Sequence, residues 1–321
     1  MAVSVQTNVG IIGCFEITQV SHIPTLNFLS DKFAIKYICD VSENALLHCA
    51  AKIPSPLKTI KNAEQLCASN EVDVVLIANT NPFHMPHAIL ALKHNKYCLL
   101  EKPAALNYRD IDALIAAEAT SQEKIFVSYM RRYAPAFLEA FSDIAQPDID
   151  ELVKREADIV QQALTAKFGV EVTPASQMML RILGGLGSHD LSAMREILGI
   201  PKACLGACLG PPRIWSALLY IEIFSLNKSV KVSYDTPYIK GLPVTLTIRE
   251  KIEGRSGSDS SGFQERVIRR TYEDAYTLEF EAFYESVIKN KTPKTMVADA
   301  RNDLDIFAII MKAGEHNYHS F

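Results

Sequence analysis

Val72–His84 reads VDVVLIANTNPFH, and this stretch decides the fold. Val72–Ala78 is an almost continuous β-branched and aliphatic run. That is the composition of a central parallel strand covered on both faces. Asn79, Thr80 and Asn81 end it in polar residues, and Pro86–His94 carries helical patterning. Working outward toward the amino terminus, Asn8–Ile12 and Ala34–Cys39 read as strands. Glu16–Leu29, Glu43–Ala51 and Ala63–Ala68 read as helices, the first of them bent or divided by Pro24. In the other direction Tyr97–Leu100 is a strand, Tyr108–Ala119 a helix and Ile125–Ser128 a strand. This alternation predicts an α/β doubly wound sheet.

Such sheets bind ligands beyond the carboxyl ends of their strands, near the point where strand order reverses. Glu16, Asp40, Asn79, Thr80, Asn81, His84, Glu101 and Lys102 all fall there, any one of them also readable as a cap or turn. The segment NKYCLLEKP, 95–103, delivers Lys102 to that edge, where a lysine is placed for chemistry rather than solubility. Asp40 closes the second strand. An acid there can accept both ribose hydroxyls of an adenosine and repel a 2′-phosphate, which predicts NAD in preference to NADP. Its alternative reading is an N-cap for the next helix. The first loop, GIIGCFEITQ at 10–19, has few of the glycines of a dinucleotide fingerprint. Gly13, Phe15, Glu16 and Ile17 form the candidate cofactor loop, and Phe15 brings a ring to a site where backbone normally approaches pyrophosphate.

Composition sets outer bounds. A chain of 321 residues predicts two domains, and 48% apolar residues can fill their cores. A net charge of −4 argues against a nucleic-acid partner, and Arg269-Arg270 reads as surface charge. The seven cysteines are odd in number and include no CxxC pair, so neither a disulfide framework nor structural zinc is expected. They read as small buried hydrophobes in a reducing compartment, which predicts a cytoplasmic protein. The opening MAVSVQTNVGIIG has no secretory pattern, and no apolar run is long enough to cross a membrane.

In the second half, Asp150–Lys167 has helical spacing, Thr173-Pro174 suits a helix start, and Met178 and Met179 read as core. His189 lies in the first turn of a helix beginning at Ser188. The positive helix end disfavours imidazolium, and a neutral ring there can exchange a proton with a substrate hydroxyl. A purely structural histidine is the alternative. Val230–Tyr234, Pro243–Arg249 and Gln264–Arg269 alternate as strands, with EGRSGSDSSGF, 253–263, as a solvent loop. Tyr276–Lys289 and Ala298–Lys312 read as closing helices.

The pieces VGIIG, YICDVS, VDVVLIANTNPFH, LLEKPAA, YMRRYAP and GGLGSHDLSAMREILG resemble the glucose–fructose oxidoreductase / inositol dehydrogenase / MocA-like family, as do the closing helices. The resemblance implies a Rossmann domain over 1–129. It implies a substrate-binding and oligomerisation α/β domain over 130–321, with a mostly antiparallel sheet. It implies a homodimer or larger homo-oligomer and NAD(P)-dependent chemistry at a hydroxyl or carbonyl carbon of a small polar, sugar-like molecule. Lys102 and His189 match the family's catalytic lysine and histidine. Tyr129, Arg131, Arg132 and Tyr133 are the residues expected to line the substrate path with His189; no metal is expected.

Four departures stand out. Phe15 and Thr18 replace the second and third family glycines. Gly185 replaces an aspartate four residues before His189, and Ser192 replaces a later one. The chain also looks compressed near 142–150 and 211–222, as though loops or strands were missing. Two other readings therefore accompany the dehydrogenase: a non-catalytic dinucleotide-binding regulator, and an enzyme that uses held NAD for elimination or epimerisation.

Overall fold

The computed structural model of the protein describes residues 5–138, 183, 187–204, 220–224, 227–234, 244–252, 262–269 and 274–315. The chain divides into two compact units. One is Met1–Met130 with Tyr276–Asp305, and the other is Arg131–Ala275 with Ile306–Phe321.

The first unit is built on a six-stranded sheet with order β3-β2-β1-β4-β5-β6. The strands are β1 Thr7–Ile12, β2 Phe33–Cys39, β3 Lys58–Ile60, β4 Val74–Ile77, β5 Tyr97–Glu101 and β6 Ile125–Ser128. Every pairing is parallel. All four β4 residues are buried, as an aliphatic run covered on both faces requires. The crossovers are α1 Ile23–Phe28, α2 Glu43–Ala50, α3 Ala63–Cys67, α4 His84–Lys93 and α5 Tyr108–Ala119. Order reverses between β1 and β4, so their carboxyl ends flank the switch point.

Pro24 divides the first crossover as expected. A π-helical stretch, Thr18–His22, leads into α1, whose first turn holds the proline where no N–H is needed. The strand β3 has no counterpart in the sequence reading. It is three residues long and carries no buried residue, so it leaves no hydrophobic pattern to find. Gly10 is glycine because a Cβ would stand 2.6 Å from Leu66 Cδ2, where α3 presses on β1.

Two carboxyl-terminal helices complete this unit: α7 Ala275–Ile288 and the first half of α8 Val297–Glu315. The buried face of α7 presents Phe280 and Phe283, one helical turn apart. Phe283 stacks on Phe33 of β2 at 6.3 Å and meets Tyr97 of β5 and Phe126 of β6 edge-on at 5.7 and 5.5 Å. Just before α8, Thr295 O accepts from Val127 N at 2.8 Å, which covers the open edge of β6.

The second unit contains an antiparallel sheet of order β10-β9-β8-β7. Its strands are β7 Tyr220–Phe224, β8 Lys228–Ser233, β9 Thr245–Ile252 and β10 Gly262–Arg269. One face packs Val230, Val232, Leu246 and Ile248 against Ala193 and Ile197 of α6, Ser188–Leu198, and against Phe137. The hairpin whose absence was expected near 211–222 is partly present. Tyr220 pairs with Ser233 and Phe224 with Ser229. The run YIEIF was too short for its period-2 pattern to be distinguished from the apolar residues before it. The expected features at 142–150, 150–167, 173–174 and 178–179, Gly185, and most of the 253–263 loop lie outside the described residues. No described helix is long and apolar enough to cross a membrane.

Candidate functional site

The switch-point edge of the first unit is built from backbone geometry that only some side chains permit. Gly13 leaves β1 with φ +103°, and a Cβ there would lie 2.5 Å from Asn79 N and 2.6 Å from the Ala78 carbonyl carbon. The loop therefore passes directly against the end of β4, a contact that only glycine permits. Thr18, where a third glycine was expected, is fully buried and donates from Oγ1 to Gly13 O at 2.8 Å. It ties the helix start to the loop, a role sequence spacing did not reveal. Phe15 is 50% exposed, and Glu16 is exposed beside it. Ile17 is half-buried.

Asp40 is buried at the end of β2, with both oxygens fixed. Oδ2 accepts from Cys14 N at 2.7 Å and Oδ1 from Ser42 N at 2.8 Å. The N-cap of α2 is Ser42, which accepts from Ala45 N. Asp40 thus joins the first loop to the second strand. Of the cysteines nearby, Cys39 is pushed by burial up to about 11 and Cys67 up to about 12.

At the end of β4, Asn79 is half-buried and its Nδ2 lies 2.7 Å from His87 Nδ1, while Thr80 is exposed and Asn81 half-buried. His84, read as facing a cofactor, is 1% exposed. Its Nδ1 lies 2.9 Å from Pro103 O and its Nε2 2.9 Å from Asn79 O, so the ring sits between the β4 and β5 loops and, when neutral, donates to one of these two carbonyls. Burial lowers its pKa, against the pull of the two carbonyls.

Lys102 stands at the end of β5, half-buried, and its peptide to Pro103 is cis. Glu101 lies beneath it. Glu101 Oε1 accepts from His22 Nε2 at 2.9 Å and Oε2 from Lys102 N at 3.1 Å. Ser128 Oγ lies 3.3 Å from Glu101 Oε1 and 2.9 Å from Glu279 Oε2 of α7. His22, Glu101, Ser128 and Glu279 are all buried. Burial opposes the charge on Glu101, but the His22 hydrogen bond and the nearby Lys102 ammonium outweigh it and lower its pKa. Burial pushes Glu279 well above the ordinary carboxylate range, and the charge of Glu101 adds to the effect. Glu279 was legible in one respect: it shares the apolar face of Tyr276, Phe280 and Phe283 at core spacing.

In the second unit His189 lies in the first turn of α6 and is 3% exposed. Arg131 is fully buried, pairs with Asp190 and lies 4.7 Å over the Tyr234 ring. Burial raises the Asp190 pKa, against the adjacent guanidinium. Arg132 pairs with Glu196, and its Nη1 lies 3.5 Å from Ser192 Oγ. Tyr133 is buried. In the first unit, Tyr129 is buried and donates to Asp303. These side chains, read from sequence as lining a substrate path, hold much of their polarity within their own units. Among the described residues no group of three or more acidic, His or Cys side chains could hold a metal ion.

Residues 7–129 match the family model described as "Oxidoreductase family, NAD-binding Rossmann fold" (Gfo/Idh/MocA). This part of the chain is Gfo/Idh/MocA-like. The chain is 26% identical over 195 residues to oxidoreductase P35 of Formosa agariphila, covering 58% of this chain and 57% of the relative. It is 24% identical over 301 residues to an inositol 2-dehydrogenase/D-chiro-inositol 3-dehydrogenase of Shouchella clausii, covering 88% and 84%. The match to P35 spans little more than half of that protein. Matches to two trans-1,2-dihydrobenzene-1,2-diol dehydrogenases, from Xenopus tropicalis and Danio rerio, span 38% and 36% of theirs. Among solved structures, a UDP-N-acetylglucosamine 3-dehydrogenase of Acidithiobacillus ferrooxidans superposes with a TM-score of 0.70. It is 16% identical and covers 97% of this chain and 98% of its own, a likeness of fold. The Gfo/Idh/MocA-like match ends at residue 129; beyond it, the chain is similar to the longer relative of Shouchella clausii and shares the fold of the solved structure.

Proposed function

We propose that the protein is an NAD-dependent oxidoreductase acting at a hydroxyl or carbonyl carbon of a small polar, sugar-like substrate. The observation that carries this reading is Lys102. It is half-buried at the end of β5, on the same sheet edge as Asp40 and Asn79, and its turn is fixed from below by Glu101 and from the side by His84. The residues at this edge suit a dinucleotide. Gly13 keeps the first loop flat against β4, and Asp40 presents a fixed acid for ribose hydroxyls. Phe15, Glu16 and Ile17 complete the loop, and Asn79, Thr80 and Asn81 form its other border; Glu101, read as a cofactor contact, is buried beneath Lys102 with both oxygens engaged. When bound, the nicotinamide supplies or accepts the hydride. The chain's own task is to hold the oxygen on the reacting carbon. The Lys102 ammonium does so by charge and hydrogen bonding; His189, in the second unit, is the candidate for the proton exchange. A cytoplasmic location belongs to the same reading, and so does self-association. It is supported by Tyr220, Phe224, Phe263 and Val267, exposed apolar residues on the outer strands of the antiparallel sheet.

NADH should bind more tightly than NADPH, by about tenfold or more, because a 2′-phosphate would meet the Asp40 carboxylate. Titration of both by fluorescence measures this, and equal or tighter NADPH binding removes Asp40 from the ribose site. The activity is tested by screening cyclitols, sugars and small diols for nicotinamide reduction, and their ketones for the reverse.

The exposed ring of Phe15 is the observation that favours the non-catalytic regulator, since it stands where family members carry glycine. Phe15→Gly decides how the ring acts. The expected result is weaker NADH binding by about three- to tenfold, the loss of roughly half a buried aromatic side chain. Tighter binding instead would make the ring an obstruction.

A further inference from the structure

Four buried polar side chains meet beneath the Lys102 turn, and their hydrogens can be counted. Ser128 Oγ lies within hydrogen-bond distance of two carboxyl groups, Glu101 and Glu279. A hydroxyl has one hydrogen, so it can donate to only one of them. The other contact is satisfied only if that carboxyl is the donor. Glu101 already accepts from His22 Nε2 and Lys102 N, the environment of an ionised carboxylate. Glu279 has no donor on Oε1, which is buried without a hydrogen-bond partner. A charge there would be bare, fully buried and close to Glu101. The proton therefore sits on Glu279 Oε2 and points at Ser128, and the Ser128 hydrogen points at Glu101.

We propose that Glu279 is a positioning residue for Lys102: its carboxylic acid donates to Ser128, Ser128 donates to Glu101, and Glu101 is thereby held as the acceptor of the Lys102 amide. The groups facing Glu279 are Ser128 from β6 and Glu101 from β5. Beyond Glu101 stand His22, from the π-helical stretch, and Lys102. Phe280, the neighbour of Glu279 on α7, packs its ring 5.6 Å from His22 and closes that side. Burial and the Glu101 charge both favour the neutral acid. The link to catalysis rests on the oxidoreductase reading; the hydrogen-bonded chain itself does not.

The test uses the full chain with Glu279→Gln, Glu279→Leu and Ser128→Ala. A glutamine amide can donate to Ser128 without charge, whereas leucine and the Ser128→Ala variant break the chain. Hydrogen exchange at the Lys102 amide, read by NMR, should stay slow in Glu279→Gln. It should speed up about tenfold or more in Glu279→Leu or, should that variant not fold, in Ser128→Ala. Denaturant unfolding supplies a second readout. An acid that is neutral when folded and ionised when unfolded loses stabilising effect as pH rises above its unfolded pKa. The unfolding constant of the wild type relative to Glu279→Gln should therefore rise with pH above the unfolded carboxyl pKa of about 4.3, toward a limiting slope of about tenfold per pH unit. A ratio independent of pH, or a Lys102 amide equally exposed in Glu279→Gln and Glu279→Leu, overturns the proposal. Both measurements decide it whether or not a substrate is found. With a substrate, Glu279→Leu should lower turnover while Glu279→Gln stays within about threefold of wild type. Equal turnover in all variants with an exposed Lys102 amide would count against the positioning role alone.

Discussion

Lys102→Ala is expected to fold normally, to keep most of its NADH affinity, and to lose about a hundred- to a thousandfold in single-turnover hydride transfer. The lysine side chain stands half-buried at a strand end, so its removal opens no core cavity. Under the proposed function, what is lost is a preorganised charge at the oxygen whose bond order changes, and removal of one such donor costs roughly 3–4 kcal/mol in the transition state. His189→Ala should cost less, about ten- to a hundredfold, if Lys102 can hold the oxygen alone. Combined, the two losses should fall short of their product if both groups act on one proton, as the proposed function has it. Rates at saturating cofactor, with binding measured separately, make the comparison. A wild-type rate in Lys102→Ala would sink the mechanism and transfer weight to the regulator reading.

The largest loss of stability is expected from Phe283→Ala, about 3–5 kcal/mol, the usual range for emptying a buried aromatic site. Phe283 is 2% exposed and touches rings from β2, β5 and β6. Three strands would lose their shared contact, and a planar void among rigid rings cannot collapse well. Urea unfolding followed by circular dichroism gives the value. A loss under about 1 kcal/mol would mean that the surrounding rings repack freely.

The fold was legible where local pattern and position agree. The continuous apolar run at β4 and the helix Tyr108–Ala119 needed no distant information, and Pro24 announced the break before α1. Lys102 was legible as a strand-end lysine for the same reason. Missing glycines at Phe15 and Thr18 suggested a damaged loop, yet Thr18 supplies a hydrogen bond that a glycine could not. A short polar side chain satisfied by the backbone leaves no periodic signature. The Glu101 cluster lay further out of reach, because Ser128 and Glu279 are 151 positions apart and meet only once α7 packs on the sheet. His84 stands among the strand-end residues as read, but its two carbonyl partners are known only from the folded backbone.

The return of α7 to the first sheet also bears on how the chain is made. Arg131–Ala275 must be synthesised before the helix that carries Phe283 and Glu279 can reach Phe33, Tyr97 and Phe126. At the usual pace of translation this is an interval of roughly 7–30 s. Throughout it, the nascent sheet shows water the aromatic surface that α7 later covers, and Glu101 waits for the acid that completes its cluster. Maturation of the first unit is thus deferred until the segment Tyr276–Asp305 has been made. That interval is the one in which this protein has most use for a chaperone.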